Sequence, residues 1–144
     1  MFGSCDSEEN LVSLGKELMP DKSVWAAVGL AWWDEKPNWT GDGNKVLCNG
    51  IGNLCKWGFC SFIGKTYRVS FNLIITSGVL RYIGNSMLVL HSGYNCIDYA
   101  GQGDGVNGYF YNVGFVGNVS DLSVREISGG GLSSNMVGNP VELP

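Results

Sequence analysis

One histidine (His91), four prolines and a charged fraction of only 15 % are the scarcities of this 144-residue chain. With a single imidazole there is no second histidine to complete a zinc site, and histidine-assisted nucleophilic catalysis would have to run through His91. That residue closes the apolar run Leu88-Val89-Leu90, a strand-end setting that suits a structural or exposed histidine better than a general base. The five cysteines (Cys5, Cys48, Cys55, Cys60 and Cys96) contain no C-x-x-C pair, which also argues against zinc. They are expected to be buried thiols of a chain made in a reducing cytoplasm, with a Cys48–Cys60 or Cys55–Cys60 disulfide as the alternative. Basic residues are the minority, 9 against 13 acids, for a net charge of −4. A nucleic-acid surface needs the opposite balance, so no nucleic-acid partner is expected. No apolar run approaches the ~20 residues of a membrane helix, so no membrane insertion is expected. The start, MFGSCDSEEN, lacks the basic region and apolar core of a secretory signal, and no apolar stretch precedes Cys5 as it would a lipidated cysteine.

Glycine is abundant, at 22 residues, and is scattered between apolar runs in the manner of tight turns. The chain divides into an arm (1–20), a body (21–127) and a glycine-rich tail (128–144). In the arm, Leu11, Leu14 and Leu18 recur at helical spacing ahead of Pro20, which predicts one or two amphipathic turns that dock on a neighbour. From Val24 onward the signals are strands. Val24–Trp33 is apolar and aromatic, Asp34–Asn44 is a turn region, Lys45–Cys48 is a short strand closed by Asn49-Gly50, and Leu54–Phe62 follows. Lys65–Ile75 alternates strictly: Tyr67, Val69, Phe71, Leu73 and Ile75 point one way, Arg68, Ser70 and Asn72 the other. Val79–Ile83, Met87–His91, a segment from Gly93 through Tyr99, the alternating Tyr109, Tyr111, Val113 and Phe115, and Val119–Ile127 after a Gly117-Asn118 turn complete the series. Eight or nine strands with turns every ~8–12 residues predict an all-β fold, an antiparallel jelly-roll β-sandwich, and exclude a parallel α/β architecture.

No catalytic set emerges. Asp34 and Glu35 are adjacent and would face opposite sides of a strand. Gly101-x-Gly103-x-Gly105 lacks the lysine and the strand-to-helix setting of a phosphate loop. No metal-ligand set is expected. A structural calcium ion is the one cofactor the loops allow, with Asp42, Asp104 and Asp121 as ligands, although turn aspartates are the simpler reading. The aromatic residues are the remaining clue. Of the five tryptophans, Trp32, Trp33, Trp39 and Trp57, with Tyr94 and Tyr99, are the candidate ligand-binding residues, because sugars stack on aromatic faces and interfaces enrich them. Trp32 and Trp33 should face opposite sides of a strand, one in the core and one outward.

Gly64-Lys65-Thr66-Tyr67-Arg68-Val69-Ser70-Phe71 and Gly117-Asn118-Val119-Ser120-Asp121-Leu122-Ser123-Val124-Arg125-Glu126-Ile127, with Trp39-Thr40-Gly41-Asp42-Gly43 upstream, carry a likeness. In order and spacing they resemble the carbohydrate-binding-module-like domains common in phage tail and other virion proteins. There a G-K-T-Y-x-V-S-F strand sits mid-domain and a G-x-[IV]-D-N-[IV]-S-V-R-E strand closes it. The resemblance spans roughly residues 15–127, and Ser120-Asp121 departs from the family's Asp-Asn pair. It implies a jelly-roll β-sandwich with a structural or surface-binding role and does not imply catalysis, so the chain is expected to be a non-enzymatic virion structural protein such as a capsid decoration or a tail or fibre accessory. Such a protein is made in the host cytoplasm and located in the virion. Its partners would be other virion proteins and copies of itself, as a trimer by family analogy, with Leu11, Leu14 and Leu18 as the assembly arm. The alternative is a host-surface glycan-binding module.

Overall fold

The computed structural model describes residues 13–128. Its strands are β1 (Ser13–Glu17), β2 (Trp39–Asp42), β3 (Lys45–Asn49), β4 (Thr66–Ser77), β5 (Leu80–Ile83), β6 (Met87–Val89), β7 (Gly93–Ala100), β8 (Tyr109–Asn112) and β9 (Val116–Ser128), with a short helix α1 (Lys22–Trp25) and a 3₁₀ turn at Val28–Leu30. They form two antiparallel sheets. The larger has the order β2-β3-β9-β4-β7, with β1 also paired to β9, and the smaller has the order β6-β5-β8. Thirteen-residue β9 is long enough to be shared: β3 pairs with its Val116–Ser120 half and β1 with its Arg125–Ser128 end. The fold is therefore all-β, in the sandwich class.

The sheets meet through alternating side chains. On β4, Tyr67, Val69, Phe71 and Leu73 are buried while Asn72 and Ile74 are exposed, so the alternation read from the sequence sets the inner face. Phe71 crosses to the small sheet and meets Phe110 edge-on at 5.1 Å between ring centroids; Tyr82 meets Phe110 at 5.2 Å and Tyr99 at 5.8 Å. Each such side chain contributes about 1.5–3 kcal/mol by leaving water.

Strand β9 keeps its inner face filled by breaking its own alternation. Val119, Leu122 and Val124 are all buried, although 119 and 122 have opposite parity. A register shift against β4, between Ser70↔Ser123 and Asn72↔Ser120, inserts extra length at Asp121, whose φ of 55° is left-handed. The bulge resets which parity points inward. Asp121 is held there by the Asn72 amide, which donates to Oδ2 at 3.0 Å. Gly117 and Asn118, read as a turn, lie inside β9.

Several expectations are corrected. Val24–Trp33 is not a strand. Asp21 caps α1, its Oδ1 accepting from the Ser23 backbone N–H at 2.8 Å, and the 3₁₀ turn follows. The cap outweighs the β preference of the tryptophans. The segment lies against β2, where a Cβ on Gly41 would sit 2.8 Å from the Ala26 carbonyl oxygen, so only glycine fits. The Asp34–Asn44 turn region contains β2 itself, joined to β3 by a hairpin at Gly43 and Asn44. Leu54–Phe62 makes only isolated bridges, to Glu35 and Phe110, because Gly58 (φ 77°) and Cys60 (φ 54°) break the extended chain. On β8 the inward parity is Phe110 and Asn112, not Tyr109 and Tyr111. The predicted arm helix is, in its described part, strand β1. Leu14 is exposed, Leu18 packs against the core, and Leu11 lies outside the described residues. A spacing of four places residues on one face of a strand as well as of a helix, so Leu14 and Leu18 could not discriminate. Among the cysteines, Cys48, Cys55 and Cys60 are buried and free, so neither proposed pairing forms; Cys96, expected as a thiol, is disulfide-bonded.

Candidate functional site

The six aromatic candidates do not converge. Trp33, Trp39 and Tyr99 are core residues and present no ring face to a ligand. Trp39 donates its Nε1–H to the Gly52 carbonyl at 2.7 Å, and the Tyr99 hydroxyl donates to the Cys60 carbonyl at 2.8 Å. Trp32 is half-buried between Trp33 and Phe59, with the Lys56 ammonium 5.3 Å above its ring. The expectation that Trp32 and Trp33 straddle a strand is replaced by an edge-on contact of the two rings at 5.0 Å. Tyr94 and Trp57 are exposed, but Tyr94 points outward from β7 of the large sheet while Trp57 stands beside Tyr109 of the small one.

Trp57 is placed by chemistry on both sides. Its backbone N–H donates to Asp34 Oδ2 at 2.9 Å, and Asp34 also pairs with Lys56 at 3.6 Å. Its ring lies against Gly105 so closely that a Cβ there would fall 2.6 Å from Cε3. From Trp57 the apolar surface continues onto the outer face of the small sheet. Cross-strand pairing sets two rows there, Tyr109–Ile83–Met87 and Tyr111–Arg81–Val89. Met87 and Val89 are exposed, and the other four are half-buried. Arg81 is the only charged side chain in the two rows. Burial, aided by the nearby Cys55 and Glu35, pushes the Tyr109 phenol above its ordinary range. Sequence reasoning missed this face because Tyr109 and Tyr111 were read only as an alternating run and β5 and β6 as plain strands. The alternation of Tyr82 and Phe110 with their neighbours was the available signal.

Asp42, Asp104 and Asp121 lie in the β2–β3 hairpin, the β7–β8 loop and the β9 bulge, and Asp121 faces Lys22 at 3.7 Å. Among the described residues no three His, Cys, Asp or Glu side chains gather as a metal site. Asp98 is bound to Arg68. The interior holds a small cavity of about 20 Å³ beside Trp33, Tyr82, Tyr99 and Phe110, room for one water-sized group at most. The outer face of the large sheet carries an open groove of about 520 Å³.

Comparison with protein-family models, with curated proteins and with solved structures finds no match to this chain.

Proposed function

We propose that this chain is a non-enzymatic structural domain of a virion, a jelly-roll sandwich that associates with copies of itself, as a trimer, and with neighbouring virion proteins. The observation that carries the reading is the outer face of the small sheet. Tyr109, Tyr111, Ile83, Met87 and Val89, extended by Trp57, form one apolar and aromatic surface around a single arginine. Protein–protein contacts favour that composition at their centres: aromatic, methionine and arginine rich, and otherwise poor in charge. The low charge of the whole chain points the same way. The two stretches that resemble virion domains occupy β4 and β9, which lie side by side in the middle of the large sheet and share the bulge at Asp121. Neither the groove nor the interior cavity is lined by a carboxylate or an imidazole, which favours holding over cutting.

Light scattering on the purified full chain tests the reading. The expected mass is three times that of the chain. A monomer mass persisting at about 100 µM would contradict it.

A further inference from the structure

Three side chains on the outer face of the large sheet are largely shut off from water. Cross-strand register puts Arg68 of β4, Asp98 of β7 and Arg125 of β9 on one parity, opposite to the inward Val69, Ile97 and Val124. Ile127, two residues beyond Arg125, shares the outward parity. Yet Arg68 is 8 %, Asp98 7 % and Ile127 5 % exposed, and Ile127 does not join the interior cluster of packed side chains. Arg68 and Asp98 each hold a further interaction besides their mutual pair. Farther along the same face, Asn72, Ile74 and Tyr94 are open to solvent. The cover is therefore local. It runs from the Ile127 end of β9, over Arg68, to β7.

Cys96 lies where that strip ends. It faces outward on β7, opposite Ser70 and two residues from Asp98, and it is disulfide-bonded. Of the five cysteines in the chain, Cys48, Cys55 and Cys60 are free thiols, which leaves Cys5, outside the described residues, to pair with it. The reach suffices. Ser13 opens β1 beside Ser128, on the far side of β9 from β4 and β7. Three strand spacings of ~4.8 Å and a five-residue offset at ~3.3 Å per residue put Cys96 about 22 Å away, and eight extended residues span about 26 Å. So little slack allows only a direct crossing, along the shielded strip.

We propose that Cys5 and Cys96 form a disulfide that fastens residues 5–12 as a strap across this face, and that thiol–disulfide exchange opens and closes it. In order, the segment offers Val12 and Leu11 to Ile127, Glu9, Glu8 and Asp6 to the guanidinium groups of Arg125 and Arg68, and Cys5 to Cys96. Closure needs a small disulfide such as oxidised glutathione. The Cys5 thiolate attacks it and expels one glutathione thiolate. The Cys96 thiolate then attacks the Cys5 sulfur of the mixed disulfide and expels the other. Two protein thiols are oxidised to one disulfide, the small disulfide is reduced to two thiols, and the protons lost by the cysteines end on them. A reducing cytoplasm keeps the strap open and an oxidising exterior closes it. Burial raises the Cys48, Cys55 and Cys60 thiols, which keeps them out of the exchange. The proposal does not rest on the assembly reading, which uses the opposite sheet.

The test uses the full chain equilibrated with oxidised glutathione and, in parallel, with dithiothreitol, whose two thiols close to a ring disulfide as they open the strap. Free thiols are alkylated in denaturant and counted by mass. Oxidation should leave three alkylated cysteines and one linked peptide pair carrying Cys5 and Cys96; reduction should give five. The cover is read on the Ile127 methyl resonance with a soluble paramagnetic probe. Reduction, or Cys5→Ser, should expose that methyl to broadening while the inward Ile97 methyl stays shielded. The urea midpoint should fall by about 1–2 M on reduction. The bond mapping needs no variant, so it decides the proposal even should Cys5→Ser fail to fold. A Cys96 that alkylates after oxidation, a bond from Cys96 to any other cysteine or to a second chain, or an Ile127 methyl as shielded in the reduced chain as in the oxidised one would overturn the proposal.

Discussion

Arg68 on β4 and Asp98 on β7 are direct cross-strand partners and close a two-pronged ion pair, Nε to Oδ1 at 2.7 Å and Nη2 to Oδ2 at 2.9 Å. Both side chains are 8 % exposed, although their strand positions point away from the core. Two parallel charge-assisted bonds fix the rotation of β7 against β4 as well as their spacing. Removing one partner strands the other charge in a poorly solvated place. Asp98→Ala should therefore cost about 3–5 kcal/mol in urea unfolding, and the double change Arg68→Met with Asp98→Leu should recover most of it. A single-variant loss under about 1 kcal/mol would show that water reaches the pair.

Phe71 tests the interior. It is fully buried and meets Phe110 of the opposite sheet. Phe71→Ala should cost about 3–5 kcal/mol, while Ile74→Ala, on the outward parity of the same strand, should cost less than about 1 kcal/mol. Equal losses would contradict the assigned facing of β4.

Glu17 tests whether β1 belongs to the body. Its carboxylate accepts from the Val124 backbone N–H at 2.8 Å, from the Met19 N–H at 3.1 Å and from the Ser123 hydroxyl. Glu17→Ala should lower stability by about 1 kcal/mol, discounted for its partial exposure. Deleting residues 1–18 should destabilise the sandwich rather than merely release an arm. A truncated chain with unchanged urea midpoint would return residues 13–17 to the status of an appendage.

Stability should fall in alkali. Burial, with the charges of Glu35 and Asp34 near Cys55 and of Glu17 and Glu126 near Cys60, pushes both thiols from the usual 9.0 up to about 12. The folded state thus holds these protons more tightly than the unfolded chain. The stabilisation is complete below about pH 9 and is lost as pH rises toward about 12. Tyr82 and Tyr99, also raised by burial, act in the same direction. Melting temperature should decline across that window, and Cys60→Ala should shallow the decline. A flat profile would mean the thiols ionise as freely folded as unfolded.

The sequence made the strands legible wherever polar and apolar residues alternate, as in Tyr67–Leu73, because that periodicity is the packing itself. It misled where one local feature outweighed composition. Asp21 and Ser23 turn an aromatic run into a capped helix, and the Asp121 bulge lets Val119 and Leu122 share a face. The tryptophans could not be sorted into core and surface one by one, because a sequence does not show which ring a neighbouring strand covers: Trp33 and Trp39 went inward, and Trp57 stayed out. The outer face of the small sheet and the groove on the large one were illegible for a different reason. Each joins a hairpin, β5–β6 or β2–β3, to strands distant in the chain, and no local spacing announces such a joining.

The most direct test of the central claim is a comparison of particle mass by light scattering. Three samples suffice: the unaltered chain, a Val89→Lys with Tyr111→Lys variant that puts two cations beside Arg81 on the small sheet, and an Asn49→Lys control on the large one. Trimer, monomer and trimer, in that order, is the outcome predicted. A double variant that remains trimeric, or an unaltered chain that is already monomeric, would show that the small sheet's outer face holds nothing.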